Sequence, residues 1–270
     1  MAVIMDGKKI SKHIKERLKK EISLYKEDIG LAVIRIGEDD ASRIYVGQKK
    51  KVALDIGFSF CDIHLPDDID EEEVIAKINE LNQDSKVHGI VVQLPLPDKF
   101  NRKNILNSIK KEKDVDALTD TTEYINCTSL GILELLKQYH VDIEKLDILV
   151  VGKSEHVGKQ VASLLLKQNK NVVMADTKSD LKKLTLQSDL IIVAVGKKHL
   201  ITKDMIKDGV VIVDVGINKE DGKIYGDVDY DSVYDKVSLI TPVPGGVGPM
   251  TVIMLMENTL KAYCKEKQNN

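Results

Sequence analysis

Short apolar runs, each bounded by turn residues, recur along the first hundred residues and predict buried strands. They are LAVIRIG at 31–37, FSFCDIHL at 58–65 and GIVVQL at 89–94. Between the last two runs, Asp70 precedes Glu73 and apolar residues follow at helical spacing, a capping-box pattern that predicts an amphipathic helix. The order of the elements therefore predicts a βαβαβ unit.

A second series of apolar runs begins at LDILVVG, 146–152, and continues through NVVMAD, DLIIVAVG and VVIVDVG. Strands of this kind, separated by helix-length segments, are typical of a parallel sheet that is covered on both faces. The polar segment 110–131 between the two series has no strand-like run and predicts a domain boundary. The pattern thus predicts two α/β domains and a closing C-terminal helix.

The balance of acidic and basic residues indicates which kinds of partner to expect. Lysine and arginine number 40 and aspartate and glutamate 43, for a net charge of −3, which gives no reason to expect a nucleic-acid or anionic-membrane partner. The three cysteines form no C-x-x-C pair, which argues against a disulfide framework and a metal site. The N-terminus reaches charge too early for a signal peptide, and no apolar run approaches the roughly 18 residues of a membrane span. We therefore expect a cytoplasmic protein with a small-molecule ligand.

Residues 49–51 are three consecutive lysines, and one of them could take part in catalysis. If Asp40 caps a helix that stops at Gly57, one stripe of that helix is apolar except for a single lysine. Its members are Tyr45, Lys49, Val52 and Ile56. Lys50 and Lys51 are rotated from it by about 100° and 200°. Burial and neighbouring cations disfavour a charged ammonium, so Lys49 is suited to exchanging protons; the alternative is a structural lysine whose amine reaches past its apolar neighbours to water.

Polar groups also follow the third predicted strand. Gln93 ends that strand in VVQLPLPD, where α/β proteins keep their ligands, so it is a candidate site amide; a capped loop residue is the alternative. Asp114 and Asp116 in KDVDA are weaker candidates, because turn carboxylates are the simpler interpretation. The proline- and glycine-rich segment TPVPGGVGPMT, 241–251, predicts a rigid loop shaped for close approach.

VVGKSEHVG, 150–158, follows a predicted strand and precedes a helix, which is where a doubly wound fold presents backbone N–H groups to a phosphate. A P-loop is excluded because its first glycine would fall at Asp147; a plain strand-to-helix turn remains the alternative. Asp176 ends the next strand, where a carboxylate can hold a ribose 2′-hydroxyl and repel a 2′-phosphate. Lys153 favours the phosphate instead.

Taken together, YVGQKKK, VVQLPLP, KDVD, VVGKSEHVG, VDVGIN and ITPVPGGVGPMT occur in an order by which the chain resembles the bifunctional methylenetetrahydrofolate dehydrogenase/methenyltetrahydrofolate cyclohydrolase family. The resemblance implies a folate domain, 1–117, completed by the C-terminal helix, 248–270, and a Rossmann domain, 118–247. It implies NADP-dependent oxidation of 5,10-methylenetetrahydrofolate, then hydrolysis to 10-formyltetrahydrofolate, in one-carbon metabolism and purine biosynthesis. It also implies tetrahydrofolate derivatives as ligands and a homodimer joined through the Rossmann domains.

The resemblance also implies site residues. Tyr45 would stack on the aminobenzoyl ring of the folate, and Lys49 would be the catalytic lysine, with Gln93 hydrogen-bonded to it. Asp116 would bind the pterin and Pro249 would line the same pocket. The dinucleotide positions implied are Gly152, Lys153, Ser154 and Ile217. We expect NADP as the cofactor, with NAD possible because of Asp176.

Several positions differ from the family pattern. NCTS, 126–129, stands where the family has Pro-Cys-Thr-Pro, and Ala117 replaces a glycine. In the dinucleotide half, Lys153 replaces an arginine, His156 an isoleucine and Gln160 a proline. These changes leave two alternatives: a monofunctional cyclohydrolase, and a non-catalytic folate-binding protein, which would not need a lysine–glutamine pair.

Overall fold

The computed structural model describes residues 2–168 and 171–269. Its strands are β1 (Val3–Ile4), β2 (Gly30–Ile36), β3 (Ser59–Leu65), β4 (Val87–Val92), β5 (Ile148–Val151), β6 (Val172–Ala175), β7 (Leu190–Val193), β8 (Val211–Asp214), β9 (Asn218–Glu220), β10 (Lys223–Tyr225) and β11 (Leu239–Ile240). Its α-helices are α1 (Gly7–Ile22), α2 (Asp40–Ile56), α3 (Glu71–Gln83), α4 (Arg102–Asn107), α5 (Cys127–Gln138), α6 (Gly158–Leu166), α7 (Leu181–Gln187), α8 (Tyr230–Val233) and α9 (Val247–Asn269).

The chain divides into two compact units. The N-terminal unit comprises residues 13–127 and 252–270, and the central unit comprises residues 1–12 and 128–251. The first twelve residues, which the sequence argument placed in the first domain, therefore group with the central unit. The domain boundary expected after residue 117 lies ahead of the division after Cys127 and stays a prediction.

The N-terminal unit contains a three-stranded parallel sheet in the order β3-β2-β4. Every residue of β4 is buried although β4 is an edge strand of this sheet, so both of its faces are covered. The predicted helix is present as α3, and the Asp70 backbone N–H donates to Glu73 Oε2 at 3.3 Å, as the capping-box pattern predicts. Side chains of β2, β4, α3 and α4 form the core of this unit, among them Ile34, Ile78 and Ile105.

The central unit contains a six-stranded parallel sheet in the order β1-β11-β8-β7-β5-β6. Chain order reverses at β5, whose neighbours are β6 on one side and β7 on the other, so the sheet is doubly wound as predicted. Strands β5, β7 and β8 are buried throughout. An antiparallel hairpin of β9 and β10 adds to this unit and was not predicted.

The predicted closing helix is present as α9, and its residues from Val252 onward belong to the N-terminal unit. The buried Asn258 Nδ2 donates to the carbonyl oxygens of Val115 at 2.9 Å and Ile125 at 3.0 Å. The part of the C-terminal helix from Val252 onward therefore groups with the N-terminal unit. Among the described residues, no helix has both the length and the apolarity that a membrane crossing requires.

Candidate functional site

Helix α2 carries the three lysines, and its two capping residues fix where the helix begins and ends. The N-cap is Asp39, whose side chain accepts the Ser42 backbone N–H at 2.6 Å. The prediction that Asp40 is the cap was wrong by one residue: Asp40 already lies in the first turn, while Asp39 keeps the extended backbone of a cap. Gly57 ends the helix with φ of 98°, in the left-handed region that glycine adopts without strain.

Only the first of the three lysines is buried. Lys49 is 8 % exposed, whereas Lys50 and Lys51 are exposed. The buried positions of the helix are Ser42, Val46, Lys49, Ala53 and Ile56. Tyr45 is half-buried beside this face, and burial raises the pKa of its phenol. The predicted separation of Lys49 from its neighbours is therefore correct, although the buried stripe is centred one position away from Tyr45.

Gln93 follows β4 and faces Lys49. The lysine Nζ donates to Gln93 Oε1 at 3.0 Å. The amide nitrogen of Gln93 donates to the Leu94 carbonyl at 2.7 Å, and its backbone N–H bonds the Ile34 carbonyl at 2.8 Å. These contacts fix the amide with its oxygen toward the ammonium group, so the two side chains form one polar unit at the carboxyl end of the sheet.

Of the two candidate aspartates, Asp114 is structural. It is 1 % exposed, and its carboxylate accepts backbone N–H groups from Leu118 at 3.1 Å and Thr119 at 2.9 Å. Asp116 is partly exposed. Its carboxylate therefore has a face that a ligand could reach.

Cys127, which is not among the predicted site residues, contacts the segment that carries Asp116: its thiol donates to the Val115 carbonyl at 3.3 Å. The thiol is completely buried; burial above all raises its pKa well above the ordinary value, followed by the charge and hydrogen bond of Asp116, while the Lys49 charge lowers it. The position of Cys127 in NCTS was the one available signal.

Ala117 adopts φ of 55°, the left-handed region in which an ordinary side chain is strained. A glycine, which the resemblance implies at this position, would adopt this conformation without strain. The strained residue directly follows Asp116 and is itself 5 % exposed.

In the predicted phosphate-binding turn of the central unit, nearby backbone atoms leave no space for a side chain at the two glycines. A Cβ added to Gly152, whose φ is 123°, would lie 2.3 Å from the Ala194 carbonyl oxygen. A Cβ added to Gly158 would lie 1.9 Å from the Gly152 carbonyl oxygen. Ser154 Oγ accepts the Gly158 N–H at 3.2 Å. The start of α6 is therefore packed closely against the end of β5, as in the strand-to-helix turns that bind phosphates in doubly wound folds.

Lys153, which favours NADP, and Asp176, which favours NAD, form an ion pair with each other. Lys153 Nζ lies 3.0 Å from Asp176 Oδ2. This contact first, and the Lys178 N–H at 3.0 Å from Oδ1 second, hold the pKa of the Asp176 carboxyl below its usual range. Both side chains of the pair are partly exposed, so a ligand can reach them.

The remaining predicted residues lie elsewhere in the central unit. Ile217 is 49 % exposed and directly precedes β9. Pro249 is the third residue of α9 and is partly exposed. Their contacts with cofactor and folate stay predictions.

Comparison with known proteins accounts for nearly the whole chain. Residues 5–116 match the catalytic domain of the tetrahydrofolate dehydrogenase/cyclohydrolase family, and residues 126–267 match its NAD(P)-binding domain. The bifunctional protein FolD of Lachnoclostridium phytofermentans is 45% identical over 272 residues, which cover 96% of each chain.

Two solved structures are similar throughout. The bifunctional FolD methylenetetrahydrofolate dehydrogenase/cyclohydrolase of Campylobacter jejuni has a TM-score of 0.96 at 44% identity, covering 98% of this chain and 100% of that one. The Trypanosoma brucei dehydrogenase-cyclohydrolase, solved with NADP and an inhibitor, has a TM-score of 0.95 at 33% identity and covers 98% of both.

Proposed function

The chain belongs to the tetrahydrofolate dehydrogenase/cyclohydrolase family, and we propose that it catalyses both reactions that the family name states. It oxidises 5,10-methylenetetrahydrofolate to the methenyl form with a nicotinamide cofactor and then hydrolyses the methenyl form to 10-formyltetrahydrofolate. The observation that carries this proposal is the buried Lys49 held 3.0 Å from Gln93. A protein that only bound folate would not need a desolvated amine whose partner is fixed in orientation.

Hydrolysis of the methenyl cation requires water to add to the bridging carbon with loss of one proton; the bond from that carbon to N5 then breaks, and the remaining hydroxyl proton passes to N5 as the formyl group forms. Lys49 Nζ is the group that takes part in this proton transfer, and Gln93 Oε1 holds it in place. Tyr45, half-buried on the same helix, offers a ring face to the aminobenzoyl group. The partly exposed Asp116 carboxylate accepts hydrogen bonds from the pterin.

The dehydrogenase step needs a dinucleotide, which accepts the hydride when it is bound. Gly152 and Gly158 allow the start of α6 to pack closely against the end of β5, the arrangement in which a helix N-terminus faces a phosphate. The altered NCTS segment does not argue against this step, because Asn126 Nδ2 bonds the Asp116 carbonyl at 3.2 Å and holds the turn without prolines. The match of residues 126–267 to the NAD(P)-binding domain of the family favours the bifunctional enzyme over a monofunctional cyclohydrolase.

Both activities can be measured on one preparation. Formation of reduced dinucleotide is followed with methylenetetrahydrofolate and either NADP+ or NAD+, and decay of added methenyltetrahydrofolate is followed separately. Decay without reduction of either dinucleotide would make the protein a monofunctional cyclohydrolase. Absence of both activities in folded protein that still binds folate would make it a binding protein.

NADP is the cofactor that we propose, since Lys153 supplies a cation for a 2′-phosphate and the Trypanosoma brucei relative was solved with NADP. Asp176 opposes this choice, but Lys153 already offsets its charge in the free protein. We expect Asp176→Ser to raise the ratio of kcat/KM for NADP+ over NAD+ at least tenfold. Asp180→Ser is the matched control, because Asp180 caps α7 by accepting the Lys183 N–H, which serine can also do. A wild-type preference for NAD+ would reverse the cofactor assignment.

A homodimer formed through the central unit is the assembly that we propose. Strand β6 is an edge of the six-stranded sheet, and its Val173 is 49 % exposed. Leu166, at the end of the preceding helix, is 53 % exposed. An apolar sheet edge is a common place for self-association. Light scattering should give twice the chain mass for wild type and a smaller mass for Val173→Lys; a monomeric wild type would reject the dimer.

A further inference from the structure

A pair of buried carboxylates lies at the carboxyl edge of the six-stranded sheet, outside the residues that sequence reasoning selected. Asp214 ends β8 and is 3 % exposed; Asp227 follows β10 and is fully buried. Isolating a carboxylate from water costs free energy. Burial raises the pKa of Asp214 to about 7, against the opposing effect of the N–H groups that it accepts. Their placement therefore needs an explanation other than stability.

Asp227 shapes the loop that follows β7. Its Oδ2 accepts the backbone N–H groups of Val195 at 2.7 Å and Gly196 at 2.9 Å, and its Oδ1 accepts that of Lys197 at 2.8 Å. Three successive N–H groups that converge in this way form an anion-binding concavity. Here the anion is a side chain of the same unit, about thirty residues further along.

The second carboxylate holds the first in place. Asp214 Oδ1 accepts the Asp227 backbone N–H at 3.0 Å, and Oδ2 accepts that of Val228 at 2.9 Å. The packing around the pair excludes side chains: a Cβ on Gly216 would lie 2.1 Å from Asp227 Oδ1, and one on Gly226 would lie 1.9 Å from Asp214 Oδ2. Asn218 Nδ2 also donates to Asp227 Oδ1, at 2.9 Å.

The loop so fixed lies where a doubly wound sheet binds its ligand. The order of the sheet reverses at β5 and β7, and ligands bind outside the carboxyl ends of the strands that flank such a reversal. The turn at Gly152 leaves β5, and the Val195–Lys197 loop leaves β7. Ala194, the residue before this loop, lies close to Gly152.

We propose that Asp227 is a positioning residue for dinucleotide binding. Its carboxylate sets the Val195–Lys197 loop as one wall of the site and, through Asn218, fixes the start of the segment that carries Ile217. Asp227 touches no cofactor in this role; it acts through the loop. The inference rests on the proposed dehydrogenase function.

The test is Asp227→Asn, which keeps the size of the side chain but replaces one carboxylate oxygen by an NH2 group. That group cannot accept the backbone N–H groups that it would face. Binding of NADPH is titrated directly, and KM and kcat are measured for the dehydrogenase. Cyclohydrolase activity, whose predicted residues lie in the N-terminal unit apart from Pro249, is measured on the same sample. We expect the Kd for NADPH and the KM for NADP+ to rise at least tenfold, with kcat and the cyclohydrolase rate within about threefold of wild type, since a mispositioned wall weakens binding before it affects chemistry.

Asp189→Asn is the matched control. Asp189 precedes the same strand β7 at its opposite end, accepts the Asp147 N–H at 2.8 Å and pairs with Lys207 at 2.6 Å. It should change neither NADPH binding nor either activity. If Asp227→Asn does not fold, Asn218→Ala removes one donor from the same carboxylate and should raise the Kd severalfold.

The outcomes separate the inference from the function on which it rests. Wild-type protein that binds no dinucleotide would reject the dehydrogenase function and this inference with it. Wild-type binding with an unchanged Kd in folded Asp227→Asn would overturn the inference alone. So would equal loss in the Asp227 and Asp189 variants, or an unchanged Kd in Asn218→Ala where Asp227→Asn does not fold.

Discussion

Replacing Lys49 by methionine tests the proton-transfer role that the structure supports best. Methionine keeps the unbranched apolar stem of the side chain, which is 8 % exposed, and removes only the nitrogen. General acid–base catalysis by a positioned side chain contributes about 10² to 10⁴ in rate. We therefore expect the cyclohydrolase kcat to fall at least a hundredfold, which corresponds to about 2.7 kcal/mol of transition-state stabilisation.

The same substitution should change stability far less than activity. Losing the 3.0 Å contact leaves Gln93 Oε1 without its donor, which costs about 1 to 3 kcal/mol in a buried setting. Removing a polar nitrogen from a buried position offsets part of that cost. Thermal unfolding should therefore stay cooperative and shift by only a few degrees. Hydride transfer moves no proton, so the dehydrogenase rate should remain within about tenfold of wild type.

The neighbouring lysines provide the controls for this experiment. Lys50→Met and Lys51→Met change the same residue type on the same helix at exposed positions, and each should keep cyclohydrolase turnover within a fewfold of wild type. Methenyltetrahydrofolate decay in a buffer of fixed pH measures all three variants. A near-normal rate for Lys49→Met, or loss of activity in Lys51→Met, would refute the assignment of the catalytic lysine.

Three further predictions concern the N-terminal unit. Asp116→Asn should weaken folate binding ten- to a hundredfold, because a hydrogen bond to a charged group is worth about 1.5 to 3 kcal/mol; unchanged affinity in a ligand titration would reject its role. Ala117→Gly should raise the free energy of unfolding by about 0.5 to 1 kcal/mol in urea titrations, since φ is 55° there, and a lower value would contradict the strain argument. Burial lowers the pKa of His88, whose Nδ1 accepts the Gly30 N–H at 3.0 Å. As the pH falls, His88 is therefore protonated at a higher pH in the unfolded chain than in the folded one. The free energy of unfolding then decreases as the pH drops through about 6.5. His88→Gln should lose less stability than wild type between about pH 7.5 and about pH 5.5; equal losses would show that His88 does not titrate differently on unfolding.

The strands of both sheets could be predicted because parallel strands covered on both faces are continuous apolar runs. The hairpin of β9 and β10 lacks such a run, since its residues are mostly exposed. Its Asp221-Gly222 turn, with φ of 49° and 74°, is nonetheless a known hairpin signal that could have been used. Strand β1 has two residues and depends on pairing with β11, so no local pattern predicts it.

The register of α2 could be predicted only to within one residue, because two adjacent aspartates can each cap a helix. Asp39 is preferred over Asp40 through its 2.6 Å bond to the Ser42 N–H, a contact that sequence alone does not distinguish. The face of Lys49 was still correct, because a shift of one residue in the cap does not alter the relative rotation of three consecutive lysines.

A residue whose contacts depend on which strands are neighbours in the sheet is harder to predict than one that belongs to a local sequence pattern. Lys153 and Asp176 follow β5 and β6, which pair in register with Val151 opposite Ala175, so their ion pair follows once those strands are known to be neighbours. Asp227 offers no comparable signal, because its partners come from the loop after β7, from Asn218 at the start of β9 and from Asp214 at the end of β8. A single aspartate in a sequence looks the same whether it caps a helix, as Asp180 does, or shapes a distant loop. Only the convergence of N–H groups upon it distinguishes the two, and that convergence is a property of the folded sheet edge.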